Sequence, residues 1–155
     1  MFSIKYFKDL SENQLEIIIK EHFNHWVKYN PLLQIENTSF KFNKLYCGVE
    51  LPFGIALFCD DKLVGFCVLK KENLKKHLDI SPWISDVMIF EKYRHNGYGR
   101  KLIEYAEKVL KNLGYKKIYV WTDQAPDFYK KLGFIYEKQV EKNEGGFGEL
   151  YYKLI

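Results

Sequence analysis

The chain has 155 residues, the length of a single domain with a core of its own. Hydrophobic residues make up 47% and charged residues 28%, which is typical of a globular protein and not of a disordered one. The formal net charge is +4, but basic and acidic side chains are intermixed. This argues against a nucleic-acid-binding protein, which would concentrate its positive charge, whereas a small anionic ligand fits the mild excess.

The three cysteines indicate the compartment. Cys47, Cys59 and Cys67 are odd in number and show no Cys-x-x-Cys spacing, so we expect free thiols and a reducing cytoplasm. No apolar run approaches the roughly 20 residues that span a membrane. The first residues also lack the charged and apolar regions of a signal peptide. We therefore expect a cytoplasmic protein without a membrane partner.

The N-terminal region predicts a strand followed by a helix. Residues 2–7 are aromatic and β-branched, as in a strand. Ser11 and Gln14 have the spacing of a capping box, and apolar residues recur at helical spacing behind them. Residues 32–52 have no clear pattern, and we expect a short helix and a loop there.

Two histidines, His22 and His25, fall on or beside this first helix. No cysteine or acid stands at ligand spacing from either of them, so we interpret both as ordinary helix residues. The chain contains no cluster with the spacing of a metal site, and no metal is expected.

The rest of the chain alternates strands and helices. Asp60-Asp61 has the chemistry of a hairpin turn, and Gly114 that of a helix C-terminus. One βαβ crossover over residues 82–122 is expected to be right-handed with parallel strands. The fold class is therefore mixed α/β. The predicted strands cover residues 54–60, 62–70, 82–90, 116–122, 134–142 and 147–155, and the helices residues 97–113 and 125–132. One face of the longer helix carries Leu102, Ile103, Ala106, Val109, Leu110 and Leu113.

The glycine pair at the start of that helix has three interpretations. Asn96-Gly97 could be a hairpin turn, but a helical pattern follows it and no strand does. A dinucleotide-binding fingerprint needs a third glycine, and Leu102 stands at that position. The Gly-Lys-Ser/Thr ending of a P-loop is also missing.

The third interpretation is a pyrophosphate site. A strand end, a loop with two glycines and a helix N-terminus present several free backbone N–H groups in one concavity. The helix dipole adds partial positive charge, and glycine lets a ligand approach the backbone closely. Arg94, Arg100 and Lys101 surround this loop with positive charge.

Arg94-x-x-Gly97-x-Gly99 resembles the acyl-CoA motif of the GNAT superfamily of N-acetyltransferases, Gln/Arg-x-x-Gly-x-Gly/Ala. The resemblance continues from "WISDVMIF" through "FYKKLGF", over residues 83–134. It implies a GNAT-like fold, with a central mixed, mostly antiparallel sheet flanked by helices, in one domain over residues 1–155. It also suggests a homodimer.

The resemblance implies that acetyl-CoA is the acyl donor. In the family, the strand before the loop holds the pantetheine arm through backbone groups, and the loop amides hold the pyrophosphate. Thr122 stands where many relatives have an asparagine that contacts the arm, and its hydroxyl can make one such bond. The implied cofactor-binding residues are Val87, Met88, Ile89, Arg94, His95, Asn96, Gly97, Tyr98, Gly99, Arg100, Lys101 and Thr122.

The resemblance further implies direct acetyl transfer from the thioester to an amine. Tyr129 matches the tyrosine that relatives place near the CoA sulfur as a general acid, and a packed structural tyrosine is the alternative. Asp86 lies within the strand before the loop and is a candidate base or acceptor-binding residue. Otherwise it caps a loop or pairs with a basic neighbour. Trp83 and Glu50 are weaker candidates for the acceptor pocket, and a core tryptophan is the commoner outcome for Trp83.

The predicted function is acetyl-CoA-dependent N-acetylation of a primary amine on a small molecule or a protein. The alternative is a catalytically inactive module that binds acyl-CoA as a sensor. Retention of Tyr129 argues mildly for the enzyme.

Overall fold

The computed structural model describes all residues 1–155 and has seven strands and four α-helices. The hydrogen-bonded order of the strands is β1-β2-β3-β4-β5-β7-β6. Along the chain the elements are β1 Phe2–Tyr6, α1 Glu12–Trp26, α2 Ile35–Phe40, β2 Phe53–Cys59, β3 Lys62–Lys70, β4 Trp83–Ile89, α3 Tyr98–Asn112, β5 Lys117–Thr122, α4 Pro126–Lys131, β6 Ile135–Glu141 and β7 Phe147–Leu154.

The sheet is mixed and mostly antiparallel, which confirms the predicted fold class. β1 pairs antiparallel with β2, and β7 pairs antiparallel with both β5 and β6. β4 and β5 are parallel, with Trp83 opposite Tyr119, as the βαβ pattern predicts. None of the helices combines the length and the apolar character that crossing a membrane requires.

Local sequence signals account for most element boundaries. The Ser11 side chain accepts from the Gln14 backbone N–H and the Gln14 side chain accepts from Ser11, so the capping box at α1 is confirmed. Asp60 and Asp61 have φ of 49° and 66°, the left-handed pair that a tight hairpin turn needs. Gly114, with φ of 98°, follows α3 as predicted.

Two compact units make up the chain. The first consists of Met1–Val68 and Asp86–Leu102. Its core lies among β1–β4, α1 and the segment after α2, and it is rich in aromatic rings. Phe42 lies 5.7 Å from both Phe7 and Phe66 between ring centroids. Close packing of large rings excludes water from the interior of this unit.

The second unit consists of Leu69–Ser85 and Ile103–Ile155. Its core includes Leu74, Ile80, Trp83, Val140 and Leu150, all nearly or fully buried.

The α3 face predicted to be apolar is buried at five of its six positions. Leu113 is the exception, with 52% of its surface exposed, because it lies past the last residue of α3. The prediction of a single domain over residues 1–155 stays a prediction.

A substitution at Gly65 in β3 tests how closely β3 and β4 approach each other in the first unit. An added Cβ would lie 2.4 Å from the Met88 carbonyl oxygen, a backbone atom of β4 that cannot rotate away. We expect Gly65→Ala to lower the free energy of unfolding by about 1–3 kcal/mol, as overpacking does. Urea denaturation measures this loss.

Gly48→Ala is the matched control, since its added Cβ would meet no atom closer than 3.8 Å. We expect its stability to stay within about 0.5 kcal/mol of wild type. Equal stabilities for the two variants would contradict the close approach of β3 and β4.

Candidate functional site

The glycine loop follows β4 and leads into α3. A 3-10 turn over Glu91–Tyr93 comes first, and α3 begins at Tyr98. His95 and Gly97 have φ of 65° and 76°, so the backbone adopts the left-handed conformation at both residues before the helix begins. An added Cβ at Gly97 would meet no atom within 4 Å, so the space beside the loop backbone is open.

The start of α3 leaves backbone donors without a helical partner. Lys101 N–H donates to the Gly97 carbonyl at 3.3 Å, the first bond of the helix. The N–H groups of residues 97–100 precede that bond and have no carbonyl of the helix to bind. Gly97 has no side chain that could cap them. This arrangement fits an anion such as a pyrophosphate.

Side chains of the loop hold its shape. The Asn96 amide donates to the carbonyls of Tyr93 at 3.1 Å and Arg94 at 3.0 Å. Arg94 Nε donates to the Ile89 carbonyl at 2.9 Å, which ties the loop to the end of β4. The Asn96 side chain and the Ile89 carbonyl thus have partners within the protein. The cofactor contacts predicted for these residues stay predictions.

Positively charged side chains lie at the start of α3, next to the unpaired backbone N–H groups. Arg100 is exposed, and the Lys101 ammonium lies 5.5 Å from the centroid of the Phe2 ring. The Tyr98 ring meets Phe2 edge-on at 5.4 Å. A hydrogen bond between its hydroxyl and Cys59 raises the pKa of Tyr98. Tyr98 can therefore offer its backbone N–H to a ligand while its side chain is anchored elsewhere.

The middle of β4 departs from regular strand geometry. Asp86 has φ of 52°, a left-handed conformation that is rare for a residue other than glycine. The pleat is interrupted there, so strict alternation does not carry across the residue. Val87 and Ile89 are half-buried, and Met88 is 6% exposed within the aromatic core.

Asp86 pairs with a histidine for which the sequence predicts no acidic partner. His22 Nε2 lies 3.1 Å from Asp86 Oδ1, and their side chains are 12% and 21% exposed. His22 therefore makes a contact with an acid that the pattern of its helix does not indicate. The two residues are 64 positions apart. Only the packing of α1 against the sheet brings them together, and no local spacing signals that contact.

The second unit contains the predicted general acid. Tyr129 lies on α4 and is 7% exposed. Its ring meets Phe128 at 5.0 Å and Phe134 at 5.6 Å, both edge-on. These contacts fix the plane of the phenol, which is what an oriented proton donor requires.

The Thr122 side chain stabilises the turn that follows β5. Its Oγ1 accepts from Gln124 N–H at 3.3 Å and Ala125 N–H at 2.9 Å, which shapes the entry to α4. In both bonds the hydroxyl is the acceptor, so its own hydrogen is not used by either. Thr122 also lines a pocket of about 250 Å³ with Asp123, Pro126, Gln139, Phe147, Gly148 and Glu149.

The two weaker candidates differ in burial, and the acceptor-pocket role of each stays a prediction. Trp83 is fully buried and donates from Nε1 to the Ile80 carbonyl at 2.8 Å, as a core tryptophan does. Glu50 is exposed. The structure has no group of three or more His, Cys, Asp or Glu side chains that could hold a metal ion.

Known proteins share the sequence pattern of this chain. The sequence model of the Acetyltransferase (GNAT) family matches residues 15–134. The chain is similar to N-alpha-acetyltransferase 30 of Schizosaccharomyces pombe, with 27% identity over 92 residues. That match covers 57% of this chain and spans 61% of the length of the relative.

Solved structures share the fold over nearly the whole chain. An aminoglycoside 6'-N-acetyltransferase complexed with coenzyme A has a TM-score of 0.74 at 16% identity, covering 98% of this chain and 96% of that one. The PaiA N-acetyltransferase from Thermoplasma acidophilum, in complex with coenzyme A, has a TM-score of 0.68 at 20% identity. It covers 100% of this chain and 99% of that one.

Proposed function

Since the chain belongs to the GNAT family of acetyltransferases, we propose that it transfers an acetyl group from acetyl-CoA to a primary amine. The observation that carries this proposal is the glycine loop between β4 and α3. The open N–H groups of residues 97–100 and the space beside Gly97 suit the pyrophosphate of CoA.

The charges around the loop support the same ligand. Arg94, Arg100 and Lys101 stand at the positive end of the α3 dipole, where an anion is stabilised. Arg94 is already bonded to the Ile89 carbonyl, so it supports the loop, while exposed Arg100 is the more accessible charge. The backbone of β4 next to the loop is the proposed path of the pantetheine arm.

The proposed reaction is a direct transfer. The amine nitrogen attacks the thioester carbonyl, the carbon–nitrogen bond forms, and the carbon–sulfur bond breaks. Asp86 accepts the proton that the amine loses, and Tyr129 donates a proton to the leaving thiolate. The proposed base is thus a carboxylate and the proposed acid is a phenol.

The acceptor class is a primary amine of a small molecule or a protein. The names of the relatives point both ways, to an N-alpha-acetyltransferase and to an aminoglycoside 6'-N-acetyltransferase. We further propose that residues 1–155 act as one GNAT domain in the cytoplasm. A non-catalytic acyl-CoA sensor is the alternative, and the fixed position of the Tyr129 ring favours the enzyme.

An amine-panel assay tests the function. The wild-type chain is mixed with acetyl-CoA and, in turn, spermidine, kanamycin and a short peptide with a free α-amino group, and free CoA is followed with a thiol reagent. We expect release of CoA that depends on at least one amine, with an acetyl mass increase on that amine. Binding of acetyl-CoA without release in any mixture would favour the sensor.

Tyr129→Phe tests the general acid. We expect turnover to fall by about a hundredfold, the usual contribution of a positioned proton donor. The affinity for acetyl-CoA should stay nearly unchanged, since the ring and its packing are kept. Tyr115→Phe serves as the control, because Tyr115 lies between α3 and β5 and has no proposed role. Full turnover in Tyr129→Phe would remove the general-acid assignment.

A further inference from the structure

We infer that His22 is a positioning residue for Asp86, and that it holds the carboxylate that accepts the proton of the amine substrate. This inference rests on the proposed function and names a residue that the motif region does not contain. The starting observation is the 3.1 Å contact between His22 Nε2 on α1 and Asp86 Oδ1 on β4.

The backbone of Asp86 has a strained conformation. Its φ of 52° is unfavourable for a residue with a Cβ and persists only when surrounding contacts hold it. Such residues cluster at functional sites. The His22 bond is one contact that holds this carboxylate, and it fixes where Oδ1 points. Since the side chain is 21% exposed, a substrate can still reach it.

The surroundings of His22 make that bond strong. Its ring lies 4.8 Å from Phe42, 6.1 Å from Phe66 and 6.2 Å from Trp26. Aromatic walls lower the local dielectric, which strengthens a hydrogen bond to a carboxylate. His22 Nδ1 is buried without a hydrogen-bond partner, so the contact with Asp86 is the hydrogen bond of this ring. An ionised carboxylate only accepts, so Nε2 carries the hydrogen.

Burial also shifts the pKa values of two other titratable groups in the first unit. On β3, burial raises the pKa of the Cys67 thiol, and the negative charge of Asp86 adds to the shift. On α1, burial lowers the pKa of His25, and the charges of Arg94 and Lys28 act in the same direction. The Asp86 charge is thus felt by a neighbouring buried group, as expected where water does not screen it.

The chemical step assigned to the pair is limited to one proton. The neutral amine attacks the thioester carbonyl, and its nitrogen gives one proton to the Asp86 carboxylate as the carbon–nitrogen bond forms and the carbon–sulfur bond breaks. His22 keeps its own Nε2 hydrogen and holds the carboxylate in place through Oδ1. His22 does not touch the substrate, so its effect on turnover must pass through Asp86.

Two substitutions of His22, with side chains of equal length, test the hydrogen bond between His22 and Asp86. Gln at position 22 keeps an N–H donor within reach of Asp86, and Met has the same length without a donor. With the amine that gives the highest rate in the panel, we expect His22→Met to lower kcat by about tenfold, the effect of losing one hydrogen bond to a charged group. The KM for acetyl-CoA should stay within about threefold of wild type. His22→Gln should recover most of the rate.

A double-mutant cycle separates positioning from a general effect on the fold. If His22 acts through Asp86, His22→Met should cost almost nothing once Asp86→Asn has already lowered kcat. His25→Gln is the control on the same helix, with turnover expected within about twofold of wild type. Thermal unfolding checks each variant, and His22→Asn, with a shorter amide, replaces His22→Met if the latter does not fold.

The outcomes distinguish this inference from the proposed function. An active wild type with full turnover in His22→Met overturns the role of His22 and leaves the acetyltransferase in place. A loss in His22→Met that persists undiminished in the Asp86→Asn background also overturns it. A wild type that acetylates no amine of the panel removes the proposed function and this inference together.

Discussion

The unpaired N–H groups at the start of α3 are the constraint on which the candidate site depends. A helix always leaves its first donors without a partner, and most helices satisfy them with a side chain at the cap. Here Gly97 occupies that end, so the donors stay open and the space beside them is empty of protein atoms. The loop before them is held by bonds from Arg94 and Asn96, which keep it open without filling it.

Strand β4 connects this loop to the proposed chemistry. The end of β4 next to the loop is anchored by the Arg94 bond to Ile89, and the middle of the strand is interrupted at Asp86. The same short strand therefore packs Met88 into the core, carries Asp86 and leads into the glycine loop. Rigid packing on one side and an irregular backbone on the other is a common way to hold reactive groups in place.

Much of this could be predicted from the sequence because the signals are local. The capping box at Ser11, the paired aspartates at the hairpin and Gly114 each specify a backbone conformation within a few residues. The glycine loop is local as well. The His22 contact is not, since it joins residues 64 positions apart. The left-handed φ at Asp86 was also beyond prediction, because strand periodicity assumes a regular pleat.

A calorimetric titration with acetyl-CoA tests the central claim most directly. Wild type should bind one acetyl-CoA per chain, and Gly97→Ala should bind more weakly, because its Cβ enters the space assigned to the pyrophosphate and its φ of 76° is strained. Gly114→Ala, with φ of 98° and equally open surroundings after α3, carries similar strain away from the loop and should bind like wild type. Absence of saturable binding, or equal affinity in Gly97→Ala and wild type, would contradict the assignment of the loop.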